Sequence, residues 1–227
     1  MSNDTPTILL DLDGTLIDSQ PGILSSCKVA LRALGHELDS TQDFSSVIGP
    51  PIEEIMRGLL KPFDDDRIAE AVTAYRAEYS EHGLYQSPPY PGMVEVLTTL
   101  RQSGARLFVA TGKRVQFAKR ILEHLDLAHF FEEIYGSVDS GALDHKPDLL
   151  AHVMKLHALS AEHCVMVGDR RYDILGAKAN DMRALGVLWG YGSRDELMTA
   201  GADGLVATVP ELPKAALSMT GGNQPSP

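Results

Sequence analysis

TILLDLDGTLIDS, residues 7–19, is an apolar run that stops at two carboxylates, Asp11 and Asp13, with Gly14 and Thr15 directly behind them. Unbroken apolar residues without alternation are what a strand buried on both faces requires. Two acids at the end of such a strand repel one another where water is least able to screen them. A partner for that charge has to come from elsewhere in the chain.

Short runs of the same kind recur at residues 106–110, 134–136, 164–167 and 184–188. Helical patterns lie between most of them. GMVEVLTTLRQSG begins after Pro91 and stops at Gly104, and VQFAKRILEHL repeats apolar residues at Val115, Ala118, Ile121, Leu122 and Leu125. Alternating strands and helices predict an α/β fold built on a doubly wound parallel sheet with right-handed crossovers. Between the first two strands, residues 17–88 hold no strand-like run, which is too long for a simple connection. Its first helix would start near Pro21, gather Ile23, Leu24, Cys27, Ala30, Leu31 and Leu34 on one face and end at Gly35, with further helices at 51–60 and 66–82. The expected organisation is an α/β core of residues 1–16 and 89–219, an inserted helical cap of residues 17–88, and a disordered tail of residues 220–227.

In an open parallel sheet, ligands bind beyond the carboxyl ends of the strands, where the strand order reverses. The strand ends here carry Asp11 and Asp13; Thr111, Gly112 and Lys113; Lys146 beyond the third strand; and Asp169 and Asp173. Singly each has a plainer reading, since Asp-Gly is a common turn and GDRRYD can be a solvated loop. Their joint occurrence at strand ends reads as one site. It offers carboxylates for a divalent cation, a hydroxyl, and an ammonium for an anion. Magnesium favours a few carboxylates together with phosphate oxygens, and a carboxylate can itself attack phosphorus.

At these residues the chain resembles the haloacid dehalogenase superfamily of phosphohydrolases with a helical cap between the first two motifs. DLDGTLIDS is similar to its D-x-D-G-T signature, VATGK to its threonine motif, HKP to its lysine motif and VGDRRYD to its acidic motif. The resemblance spans about residues 7–210. It implies Asp11 as nucleophile and magnesium ligand, Asp13 as general acid and then base with its carbonyl on Mg2+, and Lys146 on both nucleophile and phosphate. It further implies Thr111 and Gly112, with Lys113, as substrate-binding groups, Asp169 completing the metal shell, and Asp173 as a ligand through water or a support for Lys146. Gly49 and Pro50, in the cap, would contact substrate.

The implied reaction is magnesium-dependent hydrolysis of a small phosphate monoester, phosphoglycolate phosphatase-like. GDRRYDILGAKAND and GVLWGYGSRDEL also look like a 5'-nucleotidase branch, so a nucleotide 5'-phosphatase is the alternative. More distant readings are a sugar phosphomutase and a non-enzymatic phospho-aspartate switch, the latter disfavoured by the cap. Arg57, Lys61, Arg170 and Arg171 read as solvated, and Trp189 and Tyr191 as structural aromatics.

Acidic residues outnumber basic ones 31 to 20, and a net charge of −11 without a basic block argues against a nucleic acid polymer as partner. The N-terminus lacks a basic region leading into an apolar stretch, and no segment approaches the ~20 apolar residues of a membrane span. A cytoplasmic monomer or homodimer is expected. Cys27 and Cys164 read as packed thiols, and His145, His152, His157 and His163 match no zinc spacing.

Overall fold

The computed structural model of the protein describes residues 5–37, 52–138, 141 and 143–221. Through the chain run β1 (Thr7–Leu10), α1 (Gln20–Ala33), α2 (Ile52–Leu60), α3 (Ile68–Glu81), α4 (Met93–Gln102), β2 (Arg106–Arg114), α5 (Val115–His124), β3 (Glu133–Ser137), α6 (Lys146–Leu156), β4 (Cys164–Gly168), α7 (Arg171–Lys178), β5 (Arg183–Val187), α8 (Arg194–Thr199), β6 (Gly204–Val206) and α9 (Leu212–Met219). The chain divides into two compact units, one of Met1–Asp18 with Pro89–Pro227, the other of Ser19–Pro88.

In the first unit six parallel strands lie in the order β3-β2-β1-β4-β5-β6. β1 is central, pairing with β2 on one side and β4 on the other, so Leu9 sits between Phe108 and Met166. All three side chains are buried to 0% exposure, and the one polar residue of β1, Thr7 at its start, is buried too. One face is covered by α6, α7 and α8, whose Leu149, Leu150, Val153, Ile174, Ala177 and Leu197 close over Leu9, Phe108, Met166 and Ala184. Successive strand residues point to opposite faces, and Ile8 and Leu10 are equally buried. Helix α4 packs against α9 and β2, and α9 against β4 and β5. Burying each of these large apolar side chains contributes about 1.5–3 kcal/mol, so β1 is held from both sides.

The strand β6 is absent from the sequence expectation because it is a short edge strand, and of Gly204, Leu205 and Val206 only Val206 is buried. The chain also stays in the first unit two residues longer than expected. Ile17 bridges Pro89, and the Tyr90 N–H donates to the Leu16 carbonyl at 3.1 Å, pairing the outgoing and returning segments. At the other end Thr220 is buried, with His163 Nδ1 3.2 Å from its carbonyl oxygen. The ordered structure therefore runs past residue 219.

Within the second unit α1 packs against α3. Pro21 lies in the first turn of α1 and Gly35, at φ +87°, follows its end, as the sequence pattern requires. Ile23, Cys27, Ala30 and Leu31 form the buried face. Gly22 and Gly83 permit the close approach of α1 to the turn that follows α3, because a Cβ on Gly22 would lie 2.0 Å from the Gly83 carbonyl oxygen. No helix among the described residues is long and apolar enough to cross a membrane. Cys27 and Cys164 are both buried free thiols, and burial pushes them up to about 12 and about 11 respectively.

Candidate active site

The ladder of β1 continues one residue past the strand, with the Asp11 N–H donating to the Val167 carbonyl at 2.9 Å. This sets Asp11 beside the end of β4. The chain then turns tightly through Gly14 at φ +77°, and the N–H groups of Leu16 and Ile17 return to the Leu12 carbonyl. Asp169 follows β4, and α7 begins two residues later. The adjacency of β1 and β4 thus brings together acids separated by more than 150 residues of chain. Carboxylate oxygens of Asp11, Asp169 and Asp173 all lie within 4.8 Å of one another. It is the only such cluster of potential ligands among the described residues, and none of the histidines belongs to it.

Lys146 opens α6 and reaches into this cluster. Its Nζ donates to Asp11 Oδ1 at 3.0 Å and to the Ala110 carbonyl at 2.8 Å, and lies 2.7 Å from Asp173 Oδ1. Asp173 in turn uses its other oxygen to accept the Arg170 N–H at 3.1 Å, capping α7. Burial would strip the proton from Lys146, but the attraction of Asp11 and Asp173 outweighs it and holds the ammonium above its ordinary value. Asp11 is raised as well, but for a carboxyl group this favours the neutral form. Burial, with repulsion from Asp173 and Asp13, raises it to about 6 despite the attraction of Lys146. Asp169 is raised well above the usual carboxylate range by burial first and by Asp173 and Asp11 second. One lysine cannot neutralise three buried carboxylates, and an oxygen-only donor set with excess negative charge fits a hard divalent cation.

A loop not singled out as functional in the sequence wraps Asp169. The Tyr191 N–H donates to Asp169 Oδ2 at 2.8 Å, and Thr15 Oγ1 donates to Oδ1 at 3.5 Å. Trp189 Nε1 donates to the Thr15 carbonyl at 3.0 Å, and Tyr191 OH to Asp18 Oδ1 at 2.9 Å. A Cβ on Gly190 would lie 2.3 Å from the Gly14 carbonyl oxygen and 2.4 Å from Asp169 Cβ, and one on Gly192 would lie 1.9 Å from the Asp169 carbonyl oxygen. The WGYG sequence is therefore built around one carboxylate. Trp189 and Tyr191 are structural, as expected, but the structure they maintain is the surroundings of Asp169. The signal was the pair of glycines flanking an aromatic directly after a strand.

Thr111 is buried at the end of the regular part of β2, and its Oγ1 accepts the Lys113 N–H at 3.2 Å. Gly112 is exposed and has open space where a Cβ would stand. Lys113 turns back, and its Nζ donates to both carboxylate oxygens of Asp13, at 2.9 and 2.7 Å. Gly49 and Pro50 lie outside the described residues. Arg57 and Lys61 are exposed. Arg170 departs from the solvated reading: its Nε donates to Glu196 Oε1 at 2.9 Å, and the Arg171 N–H donates to the same oxygen, tying the start of α7 to α8.

Comparison with known proteins agrees with this geometry. The haloacid dehalogenase-like hydrolase family model matches residues 8–187. The 5'-nucleotidase of Pseudomonas aeruginosa is 41% identical over 192 residues, covering 85% of this chain and 86% of that protein. The phosphoglycolate phosphatase of Aliivibrio fischeri is 31% identical over 198 residues, 84% of this chain and 87% of that one. Tyrosine-protein kinase PtkA of Mycobacterium tuberculosis is 38% identical over 188 residues, and this chain spans 64% of that longer protein. The solved structure of PtkA superposes with a TM-score of 0.79 at 36% identity, over 93% of this chain and 98% of that one. Parallel sheet, strand-end acids and family model agree: this chain belongs to the haloacid dehalogenase-like hydrolases and is a phosphatase.

Proposed function

We propose that the protein hydrolyses small phosphate monoesters through an aspartyl-phosphate on Asp11. The observation that carries this reading is Asp11 itself, a buried carboxylate 3.0 Å from the Lys146 ammonium and grouped with Asp169 and Asp173. An Asp11 oxygen attacks phosphorus, and the bond from phosphorus to the leaving oxygen breaks. Asp13 gives its proton to that oxygen. Water then attacks the phosphoryl group and releases it from Asp11, while Asp13 takes the proton back. Lys146 offsets charge on the phosphoryl oxygens, and Thr111 and the Gly112 N–H are assigned to hold one of them. Asp11, Asp169, Asp173 and the Asp13 carbonyl are the groups assigned to Mg2+. When bound, such a cation neutralises charge on the transferring phosphoryl group and on the nucleophile.

Two leaving groups are put forward, glycolate and a nucleoside. The higher identity to the 5'-nucleotidase, 41% against 31%, supports the nucleoside. Selection between them is assigned to the helical unit, with Gly49 and Pro50 as the substrate-contacting positions. The test is a panel of phosphoglycolate, nucleoside 5'-monophosphates and sugar phosphates, assayed with magnesium and with chelator. Release of inorganic phosphate that depends on magnesium and falls at least ~10⁴-fold in Asp11→Asn is expected. Undiminished turnover in that variant would sink the mechanism. Accumulation of an isomeric sugar phosphate would redirect it to a mutase.

A further inference from the structure

The sequence reading placed Lys113 among substrate-binding groups, yet the structure puts its ammonium on the carboxylate of Asp13. We propose that Lys113 is the positioning residue of Asp13, holding that carboxylate in one orientation for the proton transfers of both half-reactions. The proposal rests on the aspartyl-phosphate reading above.

Three observations carry it. The contact is two-pronged, 2.9 and 2.7 Å to the two carboxylate oxygens, which fixes the plane of the group as well as its position. The pair is sheltered: 9% of the Lys113 side chain and 20% of the Asp13 side chain are exposed. An exposed lysine–carboxylate pair is worth little because solvent screens it and both side chains lose rotamer freedom. Removal from water strengthens the attraction. The backbone beneath Lys113 is also built. β2 breaks its register between Ala110 and Arg114, the Lys113 N–H is held by Thr111 Oγ1, and a Cβ on Gly136 would lie 2.3 Å from the Lys113 carbonyl oxygen. The two catalytic acids, two residues apart in sequence, are thus served by different lysines, Asp11 by Lys146 and Asp13 by Lys113.

This matters because Asp13 has to serve two oxygens in turn. In the first half-reaction the P–O bond to the leaving group breaks, its electron pair stays on the leaving oxygen, and the Asp13 proton goes to that oxygen. In the second, a water oxygen bonds to phosphorus, the bond to Asp11 breaks with its pair returning to the Asp11 carboxylate, and the water proton goes to Asp13. A freely rotating carboxylate would be out of place in both. Loss of about 1 Å of placement costs on the order of 10²-fold in rate, within the ~10²–10⁴ that a positioned acid or base contributes.

The experiment compares Lys113→Met with the parent enzyme on p-nitrophenyl phosphate and on an alkyl phosphate, with magnesium, by rapid mixing and acid quench. p-Nitrophenolate leaves without needing a proton, so with that ester the first half-reaction is insulated from Asp13. The expected result is kcat lower by ~10²-fold, with KM little changed on the alkyl ester and lowered along with kcat on the aryl ester, where only the second half-reaction slows, and a ratio of burst rate to steady-state rate at least ~10-fold above the parent for the aryl ester only. Mass measurement should find a larger phosphorylated fraction of the quenched chain with that ester. Lys113→Arg, whose guanidinium can grip both oxygens, should restore most of the rate. Should Lys113→Met melt early, Lys113→Gln takes its place with the same readouts. The proposal is overturned by equal losses on both esters with an unchanged ratio, by kcat near the parent's, or by a raised KM with kcat intact, which would make Lys113 a substrate ligand. A parent enzyme that forms no phosphorylated chain would instead overturn the aspartyl-phosphate reading.

Discussion

The carboxyl end of the sheet and the helical unit of Ser19–Pro88 both contain basic groups bonded to aspartates, but the two networks differ in what surrounds them. In the helical unit Asp65 accepts from the Arg67 side chain and backbone and lies 2.7 Å from His36 Nε2, while Arg67 also donates to the Leu34 carbonyl at 2.9 Å. That network ties the end of α1 to the connection between α2 and α3, and the Arg67 side chain remains 44% exposed. At the sheet end Lys146 is 7% exposed and touches two acids that are themselves buried. Water reaches the Arg67 guanidinium in the first network, although Asp65 itself is only 9% exposed, whereas in the second the cation and its acids are all sheltered. Charge in the helical unit therefore secures a turn, whereas charge at the sheet end makes an otherwise unstable cluster tolerable.

The contrast can be broken most directly at the lysine. Lys146→Met leaves Asp11 and Asp173 facing one another without their cation, and should destabilise the fold by about 3–5 kcal/mol. Phosphatase turnover should fall by ~10³-fold or more. Arg76→Ala removes an exposed 2.8 Å pair with Glu53 in the helical unit and should cost at most about 1 kcal/mol. Urea denaturation of both variants checks the pair, and similar losses would erase the distinction.

Titration sharpens it next. The folded protein holds the Asp11 proton up to about 6 against an ordinary 3.8, so its contribution to stability is present below pH ~4 and lost as pH rises towards ~6. The span amounts to roughly 3 kcal/mol in chelator. Asp65 has the opposite sign: its bonds to Arg67 and His36 depress it, so its contribution is present above the ordinary carboxylate value and lost on acidification. Denaturation between pH 4 and pH 7 should show the downward slope in the parent and a flatter one in Asp11→Asn.

Two glycines separate a crowded position from an open one. Gly190→Ala drives a methyl group into the Gly14 carbonyl and Asp169, and should cost about 1–3 kcal/mol together with phosphatase activity. Gly58, within α2, has nothing within 4 Å of an added Cβ, so Gly58→Ala should stabilise by about 0.5–1 kcal/mol. Thermal melting of the two variants should therefore move in opposite directions.

Among the described residues β1, β2, β4 and β5 were legible because a parallel strand buried on both faces leaves a continuous apolar run; the edge strand β3 showed only the short stretch 134–136, and the other edge strand, β6, left none. The first helix of the insert was legible because Pro21 and Gly35 bracket an apolar face. Asp11, Asp13, Thr111, Lys146, Asp169 and Asp173 could be read as candidates because loops at the carboxyl ends of parallel strands converge. The role of Gly190, Tyr191 and Gly192 could not, since it depends on β5 lying next to β4, which places the loop after one strand over the acid after the other.

What the sequence determined by itself was the inventory: apolar runs long enough for a sheet, and acids, a hydroxyl and two lysines placed where those runs stop. Only the tertiary structure decided which lysine serves which acid. Lys146 reaches Asp11 across 135 residues and Lys113 reaches Asp13 across 100, separations that carry no local signal. The pairing is settled by strand order, because β1 lies between β2 and β4, and by burial, because in the absence of water each carboxylate must find its counter-charge in the protein.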